Sequence, residues 1–147
     1  MRIGLLTDLH YCSRKVMLGR RYPQLALARA QQAMRDFARA GVELVVCLGD
    51  LIDAEETPGQ NEQNLRAAAA VLQSAGVPCA CVMGNHDCAA FPPETFARLS
   101  GLQIAPCTFL QGDVALHFLN ANFDWQGNPY RPGAVDWTQA RLPEEEL

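Results

Sequence analysis

A single α/β domain built on a parallel sheet is the fold this sequence predicts, and three observations predict it. Apolar runs of strand length recur at residues 2–7, 44–48 and 77–83. Helical patterns separate them, each ending at a glycine, Gly41 and then Gly76. Each run also stops at a short polar cluster: Asp8-Leu9-His10, then Gly49-Asp50-Leu51-Ile52-Asp53, then Gly84-Asn85-His86-Asp87. Strands alternating with helices give parallel neighbours joined by right-handed crossovers. Ligands of such sheets bind beyond the carboxyl ends of the strands, which is where all three clusters fall.

In chain order, the first strand leads into a polar loop over residues 11–21 that holds Arg14, Lys15, Arg20 and Arg21. Pro23 suits the first turn of a helix. Leu27, Ala30, Met34 and Phe37 then recur at spacings of three and four, with Arg29, Arg35 and Arg39 elsewhere on its surface. Leu44 to Leu48 is apolar without interruption, the pattern of a central strand covered on both faces. A Pro-Gly-containing acidic loop, Asp53 to Gln60, precedes a second helix with Leu65, Ala68, Leu72 and Ala75 on one face. After Asp87 a short helix is expected at about residues 93–99, then a hairpin of 106–110 and 113–119 joined by Gln111-Gly112. Residues 120–133 read as a loop, and Asp136 as the cap of a last helix that Pro143 interrupts.

Composition excludes several classes. The 147 residues make one domain, and the net charge of −4 offers no basic stripe for nucleic acid. No apolar run approaches the ~20 residues of a membrane span, and Met1-Arg2 leads into a strand with no signal sequence, so a cytoplasmic protein is expected. The six cysteines include no Cys-x-x-Cys pair and read as buried small hydrophobes outside any disulfide framework. Cys12 and Cys88 adjoin the polar clusters and are the two expected to be oxidation-sensitive.

Asp8, His10, Asp50, Asp53, Asn85, His86 and Asp87 together outline a metal site. Carboxylates supply charge and oxygen ligands, while imidazole favours transition metals over Ca²⁺ or Mg²⁺. One carboxylate shared by two cations holds them ~3.5–4 Å apart, and Asp50 is the central candidate. Asp-x-His or Asn-His alone is a common chance pattern. Their coincidence at three consecutive strand ends is what favours chemistry over an ordinary set of turns.

These motifs resemble, in order, spacing and placement, the first three motifs of the calcineurin-like metallophosphoesterases. The resemblance implies a hydrolase of phosphomonoesters, phosphodiesters or pyrophosphates with two divalent ions (Mn, Fe or Zn) in an αββα sandwich. This chain would be the N-terminal βαβαβ half of that four-layer fold plus a β-hairpin. Carried over, Asp8 and His10 bind one metal, Asp50 bridges both and Asn85 binds the second. His86 protonates the leaving oxygen or stabilises the phosphoryl charge, Asp53 orients His86, and Asp87 is structural. Arg20-Arg21-Tyr22-Pro23 and Leu48 to Asp53 are also similar to the manganese-dependent ADP-ribose/CDP-alcohol diphosphatase branch. The loop arginines then either contact a small phosphoester or nucleotide-type substrate or form an ordinary solvated loop.

Members of the family continue past this length to a further His motif and a Gly-His-x-His motif. Here His117 alone remains after His10 and His86, on a strand where a packed or surface role fits best. The expectation is therefore one domain over 1–147, truncated at its C-terminus, with one weakly bound ion. Homo-oligomers through an exposed sheet edge are expected too. The alternative is a non-catalytic remnant serving as a weak metal-binding or assembly module.

Overall fold

The computed structural model describes residues 1–16 and 21–144, with Pro58 described by its backbone alone. Four strands form one parallel sheet in sequential order: β1 (Ile3–Leu6), β2 (Leu44–Cys47), β3 (Cys79–Cys81) and β4 (Gln103–Ile104). Ile3 pairs with Leu44, Cys47 with Cys81, and Cys81 with Ile104. The expected strands are present but shorter, because the backbone leaves the ladder as soon as each polar cluster begins. The fourth strand goes beyond the sequence expectation. Two residues carry no readable alternation, and pairing with β3 is what defines it.

Helix α1 (Ala26–Arg39) follows a 3-10 turn at Pro23–Leu25, and α2 (Pro58–Gln73) follows the acidic loop. Ala30 and Met34 of α1 are buried while Arg29, Arg35 and Arg39 are exposed, as the spacing predicts. These two apolar residues join Leu65, Ala68 and Leu72 of α2 in a core laid on Val45, Cys47 and Cys81 of the sheet. A further short helix, α3 (Asn85–Ala90), begins inside the third polar cluster, where the sequence shows no helical period. The helix expected at 93–99 is observed as α4 (Pro93–Ser100), packed beside α2 with Phe96 fully buried.

The hairpin is β5 (Cys107–Gln111) and β6 (Val114–Phe118), a separate antiparallel sheet in which Thr108 faces His117. His117 is exposed and its Nδ1 lies 2.9 Å from Thr108 Oγ1, a surface cross-strand pair. Asp136 does act as a cap, its Oδ1 accepting from the Thr138 N–H, but of a single 3-10 turn, Trp137–Gln139. Because Leu6 belongs to the core on the helical side, strand alternation turns Leu5 to the other face. Leu5 is 59% exposed there, on a strand with one neighbour among the described residues. None of the helices among the described residues is long and apolar enough to cross a membrane.

Candidate metal centre

The first two polar clusters are zipped together by backbone bonds beyond the strand ends, and the carboxylates of Asp50 and Asp87 tie the third to them. Asp8 N–H donates to Gly49 O (3.1 Å), His10 N–H to Asp50 O (2.8 Å) and Tyr11 N–H to Leu51 O (3.2 Å), and Asp53 N–H returns to Tyr11 O (3.2 Å). Along this zipper Asp8, His10 and Asp50 adopt positive φ of 56°, 47° and 53°. They are the non-glycine residues with positive φ among those described, in a region few side chains enter and Asp and His enter more readily than most. Gly84 completes the contact. A Cβ placed there would lie 2.1 Å from Asp50 Oδ1 and 2.4 Å from Asp50 N, so no side chain fits while the second and third clusters stay together.

Asp87 is the clamp beneath them. It is fully buried and accepts from the N–H groups of Leu51 (3.0 Å), Ile52 (3.1 Å) and Gly84 (2.9 Å). Burial pushes its pKa up to about 6 in spite of those three donors. This is the structural role the sequence suggests for it. Burial also pushes the Cys88 thiol to about 12, with the charges of Asp87 and Asp50 acting in the same direction. Such a thiol is inert, so the oxidation sensitivity expected at Cys88 is not supported, and Cys12 is equally buried.

The side chains converge above this clamp. His10 Nε2 lies 3.3 Å from Asp8 Oδ1 and 3.6 Å from Asp50 Oδ2, and a ligand atom from each of the three falls within 4.8 Å of the other two. The peptide N–H of His86 donates to Asp50 Oδ1 at 3.0 Å. Asp53, fully buried, has its Oδ1 2.8 Å from both His10 Nδ1 and His86 Nδ1, while Arg21 Nη2 donates to Oδ2 at 2.7 Å. The two imidazoles meet edge to face, centroids 4.6 Å apart. Burial opposes the charge on Asp53, yet the hydrogen bonds from His10 and His86, with the charges of His10 and Arg21, hold it well below the usual carboxylate range. The bond to Asp53 in turn raises the His86 pKa.

Asp8, His10, Asp50, Asp53 and His86 are thus joined by direct contacts. Asn85 joins them through its place in the backbone, as the first residue of α3. Two features go beyond the sequence reading. Asp53 holds His10 as well as His86, and Arg21 belongs to the site. The loop arginines separate in consequence: Arg14 donates to the carbonyl of Ala54, Lys15 is exposed, and Arg20 lies outside the described residues. No signal in the sequence singles Arg21 out among the four loop cations; in the structure Tyr22 and the buried Pro23 after it pin the backbone at the start of a turn.

A groove of about 580 Å³ opens beside Asp8 and runs past Arg21 along α1 to Ala33. The model of the calcineurin-like phosphoesterases matches residues 1–134, a span that includes every residue of this centre. The chain belongs to that family. A UDP-2,3-diacylglucosamine hydrolase of Serratia proteamaculans (strain 568) is 40% identical over 62 residues, covering 40% of this chain and 25% of the relative. A dimetal phosphatase from Danio rerio aligns with a TM-score of 0.59 at 25% identity, covering 65% of this chain and 32% of that one. Protein TT1561 of Thermus thermophilus shares the fold, with a TM-score of 0.63 at 14% identity, over 90% of this chain and 54% of that one. This member of the calcineurin-like phosphoesterases therefore spans between a quarter and about half of the relatives it matches.

Proposed function

We infer that this chain carries metal ligands of a phosphoester hydrolase acting on a small phosphoester or pyrophosphate substrate. The observation that carries the reading is the meeting of Asp8, His10 and Asp50 within 4.8 Å, with His10 oriented by a buried carboxylate on its other nitrogen. A metal-binding imidazole ordinarily donates its second N–H to a carboxylate in this way. Two carboxylates and an imidazole suit Mn, Fe or Zn better than Ca²⁺, so the donor set fits the divalent ions expected of the family. The family match, the dimetal phosphatase and the relative named for hydrolysis of UDP-2,3-diacylglucosamine support the same class.

Asp8 and His10 would hold one ion, and Asp50 would bridge it to a second that Asn85 would bind. When bound, such ions polarise the phosphoryl oxygens and make water a nucleophile near neutral pH. The chain's own residues do the rest. Asp53 accepts a hydrogen bond from the Nδ1–H of His86, which leaves Nε2 as the atom to exchange a proton with the leaving oxygen. Asp50 accepts from the His86 peptide N–H and so keeps that ring beside the bridging carboxylate. Arg21 and Asp8 border the groove, whose volume is that of a site for a whole small organic ligand, beyond what a phosphate alone needs.

Asp50→Asn is expected to remove most Mn²⁺ or Zn²⁺ binding measured by calorimetry, because the bridging charge goes while the hydrogen bond to His86 can persist. Unchanged binding would show that Asp50 is not the bridging ligand. The chain as it stands is expected to self-associate through the free edge of β1, where unpaired backbone groups and the exposed Leu5 invite a second chain. Light scattering checks this, and a stable monomer across a wide concentration range would refute it.

A further inference from the structure

Asp53 is an acceptor for both imidazoles, and Arg21 closes it from the opposite side. His10 Nδ1 and His86 Nδ1 each lie 2.8 Å from Oδ1, whereas Arg21 Nη2 donates to Oδ2 at 2.7 Å. A carboxylate bonded through one oxygen can turn about its Cβ–Cγ bond. Anchored through both, it cannot. We propose that Arg21 is a positioning residue: by holding Oδ2 it fixes Oδ1 as the common acceptor for His10 and His86, leaving Nε2 the lone-pair nitrogen of each ring. The proposal rests on the metal-dependent reading above for its consequences, though not for its geometry.

The surroundings fit such a role. Arg21 precedes Tyr22 and the buried Pro23, and the Leu25 N–H closes onto Tyr22 O at 3.0 Å, so its backbone is tied to a rigid turn. Its side chain reaches from the groove, where it is 31% exposed, to a carboxylate that is 1% exposed. The planar fork of an arginine can hold one carboxylate oxygen in a fixed direction, which the rotatable ammonium of a lysine does poorly. The nearby cations among the described residues do not duplicate it. Arg14 is bonded to Ala54 O, and Arg29 is exposed on α1. A neutral imidazole that donates from Nδ1 accepts or ligates through Nε2, which is the nitrogen of His10 that faces Asp8 and Asp50.

The test reads ring-nitrogen NMR shifts of the metal-free chain. It has three histidines, with His117 on the hairpin as an internal reference. In the unaltered chain His10 and His86 are expected as Nδ1–H tautomers. Arg21→Ala should move a large fraction of both to Nε2–H, and added guanidinium ion should reverse the change. Arg21→Lys should show part of the same displacement, and it carries the test should Arg21→Ala not fold. Arg29→Ala should match the unaltered chain. Zn²⁺ titration of the same samples should show affinity weaker by about 3–10-fold for Arg21→Ala, less than the ~10–100-fold typical of losing a ligand's direct partner. Unaltered tautomers in both Arg21 variants would overturn the proposal, as would an Arg29→Ala effect equal to that of Arg21→Ala. An unaltered chain that binds no Zn²⁺ would overturn the metal reading instead, and the ring signals would still decide Arg21.

Discussion

Asp87→Ala is expected to destabilise the fold by about 3–5 kcal/mol and to abolish metal binding with it. The carboxylate is fully buried and is the acceptor for the peptide groups of Leu51, Ile52 and Gly84. Each buried donor left without a partner costs ~1–3 kcal/mol, and the cavity left by the side chain adds to that. Removing a carboxylate that burial penalises returns some of the loss, so the expected effect stays below the simple sum. The released segments are the ones that present Asp50 and lead into His86, so the site should fail before the helical core does. Urea unfolding with a parallel Zn²⁺ titration checks both halves. A variant with unchanged stability would mean that water replaces the carboxylate at all three donors.

His86→Ala is expected to lower kcat by ~10²–10⁴ in any form of the protein that turns over a phosphoester, the usual scale for a positioned acid–base group. Metal content should hold. The peptide N–H that meets Asp50 is untouched by the substitution, and Asp53 keeps both His10 and Arg21. Turnover and metal analysis on one preparation separate the outcomes. Loss of the metal together with the rate would make His86 a ligand and withdraw the proton-transfer role.

The three strand ends and their clusters are legible in the sequence because each is a local event. An apolar run of four or five residues meets a glycine or an aspartate, and nothing distant is needed to see it. What stays hidden depends on distant partners. Asn-His-Asp-Cys-Ala-Ala has too few apolar positions to show a helical period, and α3 exists because Gly84 and Asp87 anchor its first turn to the second cluster. Gln103–Ile104 is a strand through its pairing with β3. Arg21 is one of four cations in a loop, and only a contact across 32 residues distinguishes it from the others.

The left-handed backbone at Asp8, His10 and Asp50 bears on how this protein can be improved. Each such residue stores on the order of 1 kcal/mol of strain, part of which a glycine would release once its own loss of backbone entropy is counted. A search for stabilising substitutions would therefore be drawn to these three positions, and any gain there would come at the expense of the proposed site. On the proposed metal reading, thermal stability and ligand geometry are in opposition at the same three α-carbons. Robustness has to be sought elsewhere, in the helical core or on the exposed surface, with these residues held fixed from the outset.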